Sequence, residues 1–101
     1  MTDSSVFLII NAIPNPKKMQ QVQAYLSQIM PVLVASGGKP VGRYQITQQV
    51  VGEGGPKMMA LLEYPNEKSI TEMISGQAFS DLSELRGEAF LQLNIMISSQ
   101  M

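Results

Sequence analysis

The sequence predicts an α+β fold, a ferredoxin-like β-α-β-β-α-β chain whose four strands form one antiparallel sheet of order 4-1-3-2 with the helices on one face. Three observations predict it. Short runs rich in β-branched and aliphatic residues alternate with segments of helical period. The runs and segments are punctuated by "PNP", "SGGKP", "GEGGP" and "EYPN". Two right-handed crossover units then place four strands in this order and both helical layers on the same side. At 101 residues the chain is read as a single domain spanning 1–101.

Val6 to Ile13 is the first strand, closed by Pro14-Asn15-Pro16. From about Lys17 the period changes, with Met19, Val22, Leu26, Ile29 and Leu33 on one side and Gln20, Gln21, Gln23 and Ser27 on the other. Pro16 suits the first turn of this helix, and Pro31 inside the pattern predicts a kink or break near Ser27 to Met30. Gly37 or Gly38 ends the helix and Pro40 prevents it from restarting. Val41 to Val51 alternates as strand two, with Arg43, Gln45, Thr47 and Gln49 along one polar side.

"GEGGP" at 52–56 is a hairpin turn, because it lacks the Lys-Ser/Thr and the following helix of a phosphate loop. Lys57 to Tyr64 is strand three, stopped by Pro65. Asn66 caps a helix running to about Ser75, with Glu67 in its first turn. Gly76 breaks that helix, and Gln77 to Phe90 is helical again with Phe79, Leu82, Leu85 and Ala89 sharing a face. "LQLNIMIS" is strand four.

Composition excludes several classes of function. Histidine and cysteine are both absent, which leaves no Cys nucleophile, no disulfide and no Cys/His ligation of zinc or haem iron. No metal site and no cofactor are expected. Seven basic and eight acidic residues, spread along the chain, give no basic face for a nucleic acid. The opening "MTDSSVFLIINAIPNP" has neither a basic leader nor an apolar run long enough for a signal peptide or membrane span, so no membrane partner is expected and a cytoplasmic setting is.

The two strands expected at the centre of the sheet are apolar on both faces. Val6, Leu8, Ile10 and Ala12 oppose Phe7, Ile9 and Ile13, while Met58, Ala60 and Leu62 oppose Met59 and Leu61. A sheet with helices on one side only should alternate apolar and polar residues. Both faces therefore call for cover, and a second copy packed face to face supplies it, burying an area of the order of 1,600 Å². A homodimer through the sheet face is the expected assembly.

Three charged residues stand out. Glu63 follows Leu61 on an apolar strand face, where a carboxylate is either paired, Arg43 being one partner, or shifted in pKa as a candidate catalytic base. Arg43 reads as a solvated or interface arginine, or as a ligand-binding group. Arg86 lies inside the apolar stripe of its helix, either snorkelling from the core edge towards Asp81 or Glu84 or holding an anion in a cleft. Asn11 and Asn94 are polar entries in strands one and four, either structural amides or pocket lining.

"PVLVASGGKPVGR", "VVGEGGPKMMALLEYPN" and "SGQAFSDLSELRGEAF" together resemble an uncharacterised bacterial domain-of-unknown-function family of the dimeric α+β barrel superfamily. The shared pattern is a proline in the first helix, Gly-Gly-basic, an arginine in strand two, Glu-Gly in the turn, Glu-aromatic-Pro and a Leu-Arg pair. Pro31, Gly37, Gly38, Lys39, Arg43, Glu53, Gly54, Glu63, Tyr64, Pro65, Ser75, Phe79, Leu85 and Arg86 occupy those positions. Met73 stands near where the family has a tryptophan, and Phe79 replaces a tyrosine, so a pocket built on those aromatics is less polar here.

The resemblance implies the fold and a dimer but no reaction. Relatives in the superfamily include cofactor-free monooxygenases, lactone isomerases and haem-degrading proteins, the last poorly matched by a chain without histidine. The expected function is a small-molecule binding or interaction module taking a small organic ligand, with Arg43, Arg86, Asn11, Phe79 and Asn94 as candidate ligand-binding residues. The alternative is a monooxygenase- or isomerase-like enzyme with Glu63 as base and an arginine as anion clamp.

Overall fold

The first strand predicted from the sequence forms as β1, Val6–Pro14, at the centre of the sheet. The computed structural model describes residues 6–101; the opening residues of the predicted domain, and with them part of the leader reading, lie outside the described residues. β1 pairs antiparallel with β3 (Met58–Tyr64) on one side and β4 (Phe90–Ser99) on the other, and β2 (Lys39–Gln45) adds to the far edge of β3. The resulting order, β2-β3-β1-β4, is the predicted one.

Helix α1, Met19–Ala35, begins two residues later than its periodicity suggests. Asn15 holds the preceding turn, its side chain accepting from the Lys17 N–H at 3.0 Å and its carbonyl from the Lys18 N–H at 2.9 Å. Pro16 therefore sits in that turn and not in the helix. Of the kink or break expected near Ser27 to Met30, the break does not occur: α1 continues through Pro31 to Ala35. A mid-helix proline costs about 3 kcal/mol in isolation, and burial of Ile29 and Leu33 on either side offsets it.

The end of α1 is built by the double glycine. Gly37 takes the left-handed conformation at φ 109° that a Cβ disfavours. The N–H groups of Gly37 and Gly38 then return to the carbonyls of Val34 and Leu33 at 3.0 and 2.9 Å, satisfying the helix terminus.

Strand two is shorter than its alternation implies and starts two residues earlier. Its register shifts between Pro40 and Gly42, leaving Val41 as a bulge on an edge strand, where proline is tolerated. One more ladder bond joins Ile46 N–H to the Lys57 carbonyl at 2.9 Å. Beyond it the chain leaves the sheet. The Gln49 side chain closes this arm on itself, accepting from the Gly55 N–H at 2.9 Å and donating to the Val51 carbonyl at 3.1 Å. Alternation needs a partner strand to become β-structure, and the glycines and proline of 52–56 provide none.

Helix α2, Glu67–Ile74, starts at Asn66, whose side chain accepts from the Ser69 N–H at 2.9 Å as predicted for a cap. The single helix expected over 77–90 is two short ones, α3 (Gln77–Ser80) and α4 (Ser83–Ala89), and Phe90 already belongs to β4. All helices share one face of the sheet. There Leu8, Ala12, Leu62 and Tyr64 meet Val22, Tyr25, Ile29 and Leu33 of α1, Ile70 and Met73 of α2, and Leu82, Ala89 and Phe90. No helix among the described residues is long and apolar enough to cross a membrane.

Candidate functional site

Cross-strand register sorts the candidate residues by face. Arg43 pairs with Ala60, which pairs with Ile10; Gln45 pairs with Met58, which pairs with Ala12. These two rows point towards the helices, because Ala12 and its neighbours Leu8 and Leu62 are buried there. The small side chains Ala12 and Ala60 leave room beneath α1. A cleft of about 370 Å³ opens between α1 and the β2–β3 side of the sheet, lined by Ile10, Leu26, Met30, Met58 and Phe90, with Arg43 at the edge strand. β2 is exposed along its length apart from half-buried Gly42, so the cleft is open on that side.

Tyr25 forms part of its wall and is fixed from behind. Its ring meets Phe90 edge-on at a centroid separation of 5.5 Å, and its hydroxyl accepts from Arg86 Nη1 at 3.2 Å. The Arg86 guanidinium lies 4.1 Å over the Phe79 ring and 5.7 Å from the Tyr25 ring, and Nη2 donates to the Phe79 carbonyl at 3.4 Å. Neither Asp81 nor Glu84 forms an ion pair with it; Asp81 accepts instead from the Gln77 side chain. Two aromatic faces take the place of the expected carboxylate and hold the cation at the core edge. Arg86 and Phe79 thus support the cleft wall through Tyr25 and do not line the cleft.

Glu63 faces the other way. It pairs in register with Phe7 on β1 and Lys39 on β2, on the sheet face opposite Arg43. The two cannot form the pair considered from the sequence, and Glu63 does not line the cleft. Asn11 and Asn94 share this open face as a cross-strand pair, joined by a 2.9 Å bond from Asn94 Nδ2 to Asn11 Oδ1. Within one chain, then, Arg43 lies at the cleft, Arg86 and Phe79 behind its wall, and Glu63, Asn11 and Asn94 across the sheet.

The motif residues Gly-Gly and Glu-Tyr-Pro have a structural link. The buried Tyr64 hydroxyl donates to the Leu33 carbonyl at 3.0 Å and lies 3.0 Å from Ser36 Oγ. Gly38 lies against this ring: a Cβ there would fall 2.8 Å from Tyr64 Cζ and 2.7 Å from the Leu33 carbonyl oxygen. Burial raises the Tyr64 phenol above its ordinary pKa of 10.0, against a smaller opposing effect of the Ser36 hydrogen bond. These residues join the end of α1 to the end of β3.

Sequence reasoning missed Tyr25 and Lys57 as cleft residues. Tyr25 lies three positions after Val22 and four before Ile29, which is on the stripe. Lys57 reads as no more than the polar start of strand three.

The sequence model of a family described as a domain of unknown function (DUF1330) matches residues 5–100. Comparison with curated proteins gives no match. Among solved structures, a protein of unknown function from Rhodopseudomonas palustris is similar with a TM-score of 0.82 at 17% identity, covering 99% of this chain and 85% of that one. A dabb family protein with a ferredoxin-like fold from Mesorhizobium loti superposes with a TM-score of 0.71 at 8% identity, covering 97% and 98%. An ethyl tert-butyl ether d family protein from Bacillus halodurans gives 0.67 at 16% identity, covering 97% and 99%. At these identities the likeness is one of fold.

Proposed function

The chain belongs to the DUF1330 family, and we propose that it is a small-molecule binding module built as a homodimer of the bacterial cytoplasm. In this reading two copies pack open sheet face to open sheet face, and each offers the cleft under α1 to a small organic ligand. The observation that carries it is the cleft itself: a space of about 370 Å³ with an apolar floor, on a frame fixed by buried residues on three elements.

Binding is favoured over catalysis by the chemistry of the lining. Among the described residues it holds no carboxylate, so the carboxylate base of the enzyme alternative is missing from the cleft of a single chain. Glu63, the candidate base, faces the proposed dimer seam.

Titrating the ¹⁵N-labelled protein with indole and 1-octanol tests the reading. Shifts concentrated at Ile10, Leu26, Met58 and Phe90 are expected, and Ala60→Phe, which fills the space, abolishes them. Shifts scattered over the surface, or unchanged by Ala60→Phe, would refute it.

A further inference from the structure

The cleft under α1 has a one-sided charge. The chain as a whole carries seven basic and eight acidic residues, yet among the described residues the charged ones lining the cleft are Arg43 and Lys57, with no aspartate or glutamate. Both cations stand on its β2–β3 side, and both are exposed. Their main chains are held in the sheet, Arg43 opposite Ala60 and Lys57 between its neighbours. The Lys57 N–H donates to the Ala12 carbonyl and its carbonyl accepts from the Ile46 N–H, each at 2.9 Å. Among the described residues neither has a carboxylate within 4.0 Å, and the ion pair is Lys68 with Glu72, elsewhere on α2. Behind the two cations the lining is mostly apolar, with Gln23 and Gln45 as its uncharged polar side chains beside Tyr25 and Tyr44.

We propose that the cleft takes an amphiphilic monoanion, with an aliphatic or single-ring body against Ile10, Leu26, Met58 and Phe90 and its anionic head at Arg43 and Lys57. This rests on the reading of the cleft as a binding site and adds the class of ligand. An anion forced into the apolar floor loses its hydration without compensation, whereas at the open side it keeps water and gains two cations. The Arg43 guanidinium offers the planar fork that a carboxylate accepts. The volume, about 370 Å³, is near the lower end of the roughly 300–1,000 Å³ of ligand pockets, which suits one ring or a short chain.

Octanoate, octanamide and octylamine share a chain and differ in head charge, and all can be titrated into the 101-residue chain by calorimetry and ¹⁵N shift mapping. At low salt octanoate is expected to bind about fivefold more tightly than octanamide, the modest factor due to solvent-exposed cations, with octylamine weakest. The double variant Arg43→Gln/Lys57→Gln brings octanoate down to the level of octanamide. Lys68→Gln, remote from the cleft, leaves the octanoate preference intact. Octanamide binding as tightly as octanoate, or a preference that survives in the double variant, would overturn the head-group assignment alone. If none of the three probes shifts cleft resonances, the binding reading fails with it.

Discussion

The two faces of the sheet are built from the same strands and meet different fates. On the helix-covered face Leu8 and Tyr64 are wholly buried, and Ala12 and Leu62 nearly so. On the other face Phe7, Ile9, Ile13, Met59 and Leu61 are only half-buried, and Tyr44 and Met96 remain 52% and 41% exposed. Hydrophobicity barely differs between the two sets. What differs is cover: the described residues supply helices for one face and none for the other. In the homodimer proposed above this apolar face is the interaction surface, and its self-complementary partner is a second copy of the chain.

Adjacent residues on β1 sharpen the contrast most. Leu8→Ala removes a side chain from the packed core and is expected to cost about 3 kcal/mol at any protein concentration. Ile9→Ala should lose far less from the isolated fold, and its effect on Tm should grow with protein concentration, since the loss falls on association. Thermal melts at two concentrations separate the two. Equal, concentration-independent losses would remove the distinction between the faces.

The next effect concerns the covered side alone. Gly38→Ala places a Cβ 2.7 Å from the Leu33 carbonyl oxygen, a main-chain atom that cannot swing aside, and should destabilise by about 2 kcal/mol in denaturant melts.

Tyr64→Phe is smaller, about 1 kcal/mol for one lost hydrogen bond, but it has a pH signature. The Tyr64 pKa is raised in the folded state by burial. The folded chain therefore holds this proton more tightly than the unfolded chain. The associated stability is complete below pH 10.0 and is lost as pH rises through the higher folded value. Stability measured from neutral pH upward should fall above that point in the wild type and fall less steeply in Tyr64→Phe.

The smallest effect is expected across the sheet. Replacing Asn11 and Asn94 together by valine exchanges one hydrogen-bonded amide pair for an apolar pair of similar size. It should change fold stability by less than about 1 kcal/mol, measured in the same denaturant melts.

Element order was legible because it rests on local pattern, the β-branched run of Val6–Ile13, the cap at Asn66 and the glycines at 37 and 38, and sheet order followed from it through the handedness of the crossovers. The apolar character of both faces of β1 and β3 was legible too, since period two assigns faces without reference to tertiary structure. The site was less so. The bulge at Val41 sets which way Arg43 points relative to Glu63, and a bulge depends on pairing with β3, not on the residues of strand two. Arg86 was found to be embedded in a stripe, but its partners, Tyr25 and Phe79, depend on how α1, α3 and α4 meet. Lys57 gained a place at the cleft only through the position of α1 over the sheet.

Sedimentation equilibrium of the wild type beside Ile9→Lys and Leu61→Lys tests the central claim, that one face is closed by the chain's own helices and the other by a second copy. The account predicts a wild-type mass twice 11.1 kDa at micromolar concentration. It predicts single-chain mass for both lysine variants, with native circular dichroism retained. A wild type that sediments as one chain, or lysine variants that remain paired, would contradict it.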